Sequence, residues 1–94
     1  MEDKMTFEQM LKAYKAIRKQ ILDAKLNDIT YVEMNEYNDT SRNHSWININ
    51  ILFGKGGDFV EGQCKLVCIN DNNFEQGMEA YKAALAERIN QHNN

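Results

Sequence analysis

Ser45-Trp46-Ile47-Asn48-Ile49-Asn50-Ile51-Leu52-Phe53 is the stretch on which the reading of this chain turns. Successive side chains of a strand point to opposite faces, so a strict two-residue alternation marks a surface that is wet on one side only. Here Ile47, Ile49, Ile51 and Phe53 fall on one face, and Trp46, Asn48, Asn50 and Leu52 on the other. The pattern predicts a half-buried strand over 45–53.

Reading outward, residues 29–37 (Ile-Thr-Tyr-Val-Glu-Met-Asn-Glu-Tyr) alternate in the same way and predict a preceding strand. The polar run 38–43 joins the two as a loop. On the other side, Gly54-Lys55-Gly56-Gly57-Asp58 supplies a hairpin turn. A third strand is expected over 59–69. Its parity is read with Val60, Cys64, Leu66 and Cys68 toward the core, and Phe59, Glu61, Gln63, Lys65 and Val67 away from it.

Helical patterns flank the strands. Phe7, Met10, Leu11, Tyr14, Ile17, Ile21 and Leu22 recur at three- and four-residue steps over 6–26, with Thr6 and Gln9 at capping-box spacing and Asn27-Asp28 as the stop. Phe74, Met78, Tyr81, Leu85 and Ile89 mark a second helix over 74–90, with Asn73 and Gln76 again at capping-box spacing. Two amphipathic helices and a meander of three strands must cover each other's apolar surfaces. The expected fold is α+β: a two-layer α-β-β-β-α domain, a three-stranded antiparallel meander with both helices packed on one face. The 94 residues form one domain, with 1–5 and 91–94 as frayed ends.

Composition narrows the function classes. Charged residues are 27% and hydrophobic ones 43%, ordinary for a globular protein. No apolar run approaches the roughly 20 residues that span a bilayer, and the polar start Met1-Glu2-Asp3-Lys4 is unlike a secretory signal. No membrane association is expected, and cytoplasmic residence follows by default. The twelve asparagines suggest an AT-rich coding sequence, as in low-GC bacteria or their phages.

No catalytic, metal or cofactor site is expected. Cys64 and Cys68, four apart on a strand, would hold their Cα atoms about 13 Å apart. That is too far for a disulfide or a shared zinc, and both are expected to be buried as small hydrophobes. His44 and His92 fall in a polar loop and in the tail, away from either thiol. The glycines at 54–57 lead into a strand and not into a helix N-terminus, so a phosphate cradle is not implied. A small-molecule pocket lined by Met10, Tyr14, Met78 and Tyr81 competes with the reading of those residues as plain core.

The element order resembles that of the double-stranded RNA-binding domain. Asn43-His44 is loosely similar to that family's loop signature, and Ala83-Ala84 to its alanine-rich stretch. The family grips phosphates with lysines at the start of its last helix, where this chain has Asn72-Asn73-Phe74-Glu75-Gln76. The resemblance is therefore one of topology and carries no functional residue over. Charge agrees: residues 1–26 carry six basic and four acidic groups, but 27–71 carry three basic and seven acidic. Nucleic acid is the runner-up partner, with the sheet as a stacking platform and Lys12, Lys15 and Lys19 in support.

The face left open by the helices is the leading candidate site. Tyr31, Tyr37, Trp46, Asn48, Asn50, Leu52, Phe59 and Lys65 are expected on it, with Gln63 and Val67 beside them. Aromatics mixed with amides and few charges are the composition of protein interfaces. The expected function is a non-enzymatic protein-interaction module of inhibitor or adaptor type. It would bind a protein partner or itself, as a homodimer, through the open face or an edge strand.

Overall fold

The computed structural model describes residues 5–54 and 64–92. Helix α1 (Phe7–Asp23) is followed by strands β1 (Thr30–Asp39), β2 (His44–Phe53) and β3 (Lys65–Asn70) and by helix α2 (Phe74–His92). The strands form one antiparallel sheet in the order β1-β2-β3. α1 lies over β1 and β2, and α2 over β3 and β2, so the fold is the expected two-layer α+β sandwich. Residues Lys55, Gly56, Gly57, Asp58, Phe59, Val60, Glu61 and Gln63, read as a turn and the start of the third strand, lie outside the described residues.

α1 starts as its sequence predicts. Gln9 N–H donates to Thr6 Oγ1 (3.2 Å) and Thr6 N–H donates to Gln9 Oε1 (2.8 Å), a complete capping box. It stops earlier than Asn27-Asp28. Lys25 takes a left-handed conformation (φ 61°), while its N–H bonds Leu22 O and the Leu26 N–H bonds Ile21 O, each at 3.0 Å. This pair of bonds satisfies two orphan carbonyls of the last turn and folds Leu26 back beside Ile21, where Leu26 is fully buried. A lysine Cβ crowds its own backbone at positive φ, which glycine avoids. Lys25→Gly is expected to stabilise the fold by about 0.5–1 kcal/mol, after glycine's larger unfolded-state entropy is subtracted. A urea midpoint that fails to rise would show that the position carries no strain.

The β1–β2 turn is tighter than the expected 38–43 loop. Arg42 N–H bonds Asp39 O (3.3 Å), Asn43 N–H bonds Thr40 O (3.4 Å), and Ser41 Oγ donates to Asp39 Oδ1 (2.6 Å). Asn43 has φ 50°, a conformation asparagine tolerates better than most residues. β1 and β2 thus pair along ten positions, from Thr30 opposite Phe53 to Asp39 opposite His44.

Inward alternation on β2 is as read: Ile49, Ile51 and Phe53 are fully buried and Ile47 nearly so. The parity of β3 is the reverse of the expectation. Val67 and Ile69 are buried, opposite Ile51 and Ile49, whereas Leu66 and Cys68 are exposed. Leu66-Val67-Cys68-Ile69 are four apolar residues in a row, so the strand itself does not say which parity faces in. Register with β2 decides it, and it brings the β-branched pair inside. Cys64 is half-buried, Cys68 lies outside the core, and neither is in a disulfide.

The helix faces are also narrower than their patterns. Met10, Ile17 and Ile21 are buried, but Phe7 and Leu22 at the edges of the stripe are exposed. Met10 and Tyr81, two of the four residues weighed as a pocket lining, have no exposed surface and belong to the core. Tyr81 stacks on Phe53 with ring centroids 6.4 Å apart, and its hydroxyl donates to Gln20 Oε1 at 2.7 Å, tying α2 to α1. Asn70 Oδ1 accepts from the N–H groups of Asn72 (2.9 Å) and Asn73 (2.7 Å), turning the chain from β3 into α2.

Candidate functional site

Antiparallel partners share a face, so the register lays out the side of the sheet away from the helices row by row. The first row is Tyr31, Leu52 and Leu66 across all three strands. The second is Glu33, Asn50 and Cys68, and the third Asn35, Asn48 and Asn70. The fourth is Tyr37 beside Trp46, stacked with centroids 5.2 Å apart and planes 20° from parallel. Tyr31, Tyr37 and Leu66 are exposed (55%, 41% and 59%), and Leu52 and Trp46 are half-buried between neighbours.

Six expected site residues, Tyr31, Tyr37, Trp46, Asn48, Asn50 and Leu52, therefore share the open face. Phe59 and Gln63 lie outside the described residues. Lys65 does not belong to this face. It pairs with the inward-facing Phe53, and its Nζ lies 4.0 Å from Glu87 Oε2 on α2. Val67 is likewise on the helix side. The same parity reversal adds Leu66 and Cys68, expected in the core, to the open face.

Glu33 organises the middle of the face. Asn50 Nδ2 donates to its Oε1 (3.2 Å) and the Tyr31 hydroxyl to its Oε2 (3.2 Å). Hydrogen bonds from Asn50, Asn35 and Tyr31 favour the charged form and hold this carboxyl below its ordinary range. The same contact raises the Tyr31 phenol, because its proton is held by the carboxylate. The open face is thus two apolar rows separated by an ionised, hydrogen-bonded strip.

A second feature borders it. Between α1 and β1 runs a groove of about 690 Å³. Ile21, Leu22 and Val32 line it, and Lys15, Arg18 and Lys19 crown it. Arg18 also lies over the Tyr14 ring (5.6 Å), and Lys19 pairs with Asp23 (3.6 Å). Among the described residues, no three His, Cys, Asp or Glu side chains converge as a metal site, and no helix is long and apolar enough to cross a membrane.

Comparison with known protein families, with curated proteins and with solved structures finds no match to this chain.

Proposed function

We propose that this protein is a non-enzymatic interaction module, of inhibitor or adaptor type, that occupies a protein partner through the open sheet face and associates with itself. The observation that carries the reading is the pair of apolar rows, Tyr31–Leu52–Leu66 and Tyr37–Trp46, on the side of the sheet opposite both helices. Cross-strand aromatic pairing stabilises a sheet by less than about 1 kcal/mol per pair. Stability alone therefore gives little reason to leave Tyr31 and Leu66 more than half exposed. Tyr and Trp with a polar strip between them are the usual make-up of binding hot spots. The ionised Glu33 at the centre argues against nucleic acid, whose phosphates it would repel.

Tagged wild type and the double variant Tyr31→Ala, Trp46→Ala, compared in affinity capture from host lysate, test the reading. Neither residue is in the buried core, so the double variant should keep its fold by circular dichroism. It should bind the captured protein at least about 30-fold more weakly, since loss of even one of the two as a hot spot has that effect. Equal capture by both proteins would remove the face as a contact surface.

A further inference from the structure

Among the described residues, β1 has β2 on one side and no strand on the other. Gly54 N–H donates to Ile29 O at 2.6 Å, which fixes the parity of its backbone groups. Odd-numbered residues of β1 exchange hydrogen bonds with β2, and even-numbered ones turn N–H and C=O outward. Thr30, Val32, Met34, Glu36 and Asn38 thus present a row of unpaired backbone groups. Protein edges are usually blunted by lysine, proline or a bulge. β1 has none of these: it contains no basic residue or proline, and its ten-residue register is unbroken.

Its charges are one-sided. Glu33, Glu36 and Asp39 are the only charged residues of β1, whereas Lys15, Arg18 and Lys19 crown the groove beside its Thr30–Val32 end. Basic side chains therefore flank one end of the strand, and acidic ones lie at its middle and far end. Thr30, which also lines that groove, has a buried hydroxyl with no hydrogen-bond partner.

Building on the reading of the chain as a self-associating module, we propose that two copies pair β1 with β1, antiparallel, about a two-fold axis at Met34. One continuous six-stranded sheet results. In this register all five outward residues are bonded: Met34 meets its own copy, Val32 meets Glu36 of the partner subunit, and Thr30 meets Asn38 of the partner subunit. Other registers are worse. An axis at Glu33 or at Glu36 sets two carboxylates face to face, which is destabilising, and an axis at Asn35 leaves Thr30 unbonded.

The Met34 register answers three separate features of the single chain. Glu36 of the partner subunit lies opposite Val32, under the basic crown of the groove. Asn38 of the partner subunit faces Thr30 on the helix side, so its amide is placed to donate to the unpartnered hydroxyl. On the open face, Tyr31 meets Tyr37 of the partner subunit. The row Leu66–Leu52–Tyr31 then continues into Tyr37 and Trp46 of the partner subunit, and the two short apolar rows of one chain become two five-strand rows. The interaction face is completed by the second copy.

Sedimentation equilibrium of the full chain tests the proposal. Wild type should be dimeric and should weaken with added salt. Glu36→Pro removes an outward N–H while leaving the bonds to β2 intact, and an edge strand tolerates proline. It acts twice across the axis and should raise the dimer dissociation constant about a hundredfold with the circular dichroism spectrum retained. Glu36→Lys, which keeps the N–H and reverses the charge, should weaken the dimer as well, and serves if the proline variant fails to fold. Met34→Cys, in a Cys64→Ser, Cys68→Ser background, should form an intersubunit disulfide on oxidation. Residues facing across such an axis have Cα atoms about 5.5 Å apart, within disulfide range.

Three results would overturn the pairing. A wild type that stays monomeric at high concentration removes the dimer but leaves the lysate-capture result standing. A dimer insensitive to both Glu36 variants but dissociated by Tyr31→Ala, Trp46→Ala moves the contact to the sheet face and keeps self-association. Absence of the Met34 cross-link in an intact dimer rejects the register.

Discussion

Tyr81→Ala is expected to cost about 3–5 kcal/mol, the range for emptying a buried aromatic site. Small domains have only about 5–10 kcal/mol in total, so the variant should be near the limit of folding. Tyr81 has no exposed surface, and its ring rests on Phe53 while its hydroxyl donates to Gln20. Removing it opens the seam where α2, α1 and β2 meet. Tyr81→Phe keeps the ring and loses only the hydrogen bond, so about 1 kcal/mol should be lost. Urea midpoints order the three proteins. A loss below about 1 kcal/mol for the alanine variant would mean that the seam closes without the ring. The same residue sets an alkaline limit. Burial pushes the Tyr81 phenol up to about 12, from an unfolded value of 10.0. The neutral form is the one the fold favours, so its contribution is complete below pH 10 and is lost as pH rises through about 12. Phe at 81 should make that alkaline decline shallower.

Much of this architecture was legible because its deciding segment is unambiguous. Ile47, Ile49 and Ile51 alternate with Trp46, Asn48 and Asn50, and only one parity puts the isoleucines inside. The capping box at Thr6 and Gln9 marked the start of α1 for the same kind of reason: two side chains at fixed spacing satisfy two backbone donors. Where local pattern is silent, tertiary contacts decide. Leu66-Val67-Cys68-Ile69 has no alternation, and its orientation comes from pairing Val67 with Ile51 and Ile69 with Ile49. The early stop of α1 was invisible because lysine, and not glycine, occupies the left-handed position at 25.

The candidate face followed from β1 and β2 for the residues whose strands alternate, and failed on β3 with its parity. Lys65 turns to the helix side, and Leu66 and Cys68 turn outward, each opposite to the expectation. Glu33 could be seen in the sequence, but not its role, since the bond from Asn50 joins residues 17 apart through the strand register. The groove beside α1 was foreshadowed only by the stripe of Lys15 and Lys19. Its geometry depends on how far the helix stands from the sheet edge, which no periodicity reports.

Gly77→Val is expected to be strongly destabilising although it removes no contact. Gly77 lies in the first turn of α2, where glycine is otherwise unfavourable by about 1 kcal/mol relative to alanine. A Cβ there would approach Ile69 Cγ1 at 2.9 Å, Ile69 Cα at 3.0 Å and Ile69 Cβ at 3.1 Å. Two of those atoms cannot rotate away, because they belong to the backbone and branch point of Ile69, whose strand position is fixed by its pairing with Ile49. The helix must lift from the strand, and α2 loses its close packing on Ile69. Overpacking of this kind costs about 1–3 kcal/mol, more than alanine's helix propensity returns. Gly77→Ala should therefore lower stability by up to about 2 kcal/mol, and valine by about 3 kcal/mol or more because its branched carbons need still more room. A double-mutant cycle locates the cause. In an Ile69→Ala background Cγ1 is gone, so the cost of Gly77→Ala should shrink by about 1 kcal/mol. An alanine variant more stable than wild type would mean that α2 has room to spare over β3, and that glycine at 77 is not required by packing.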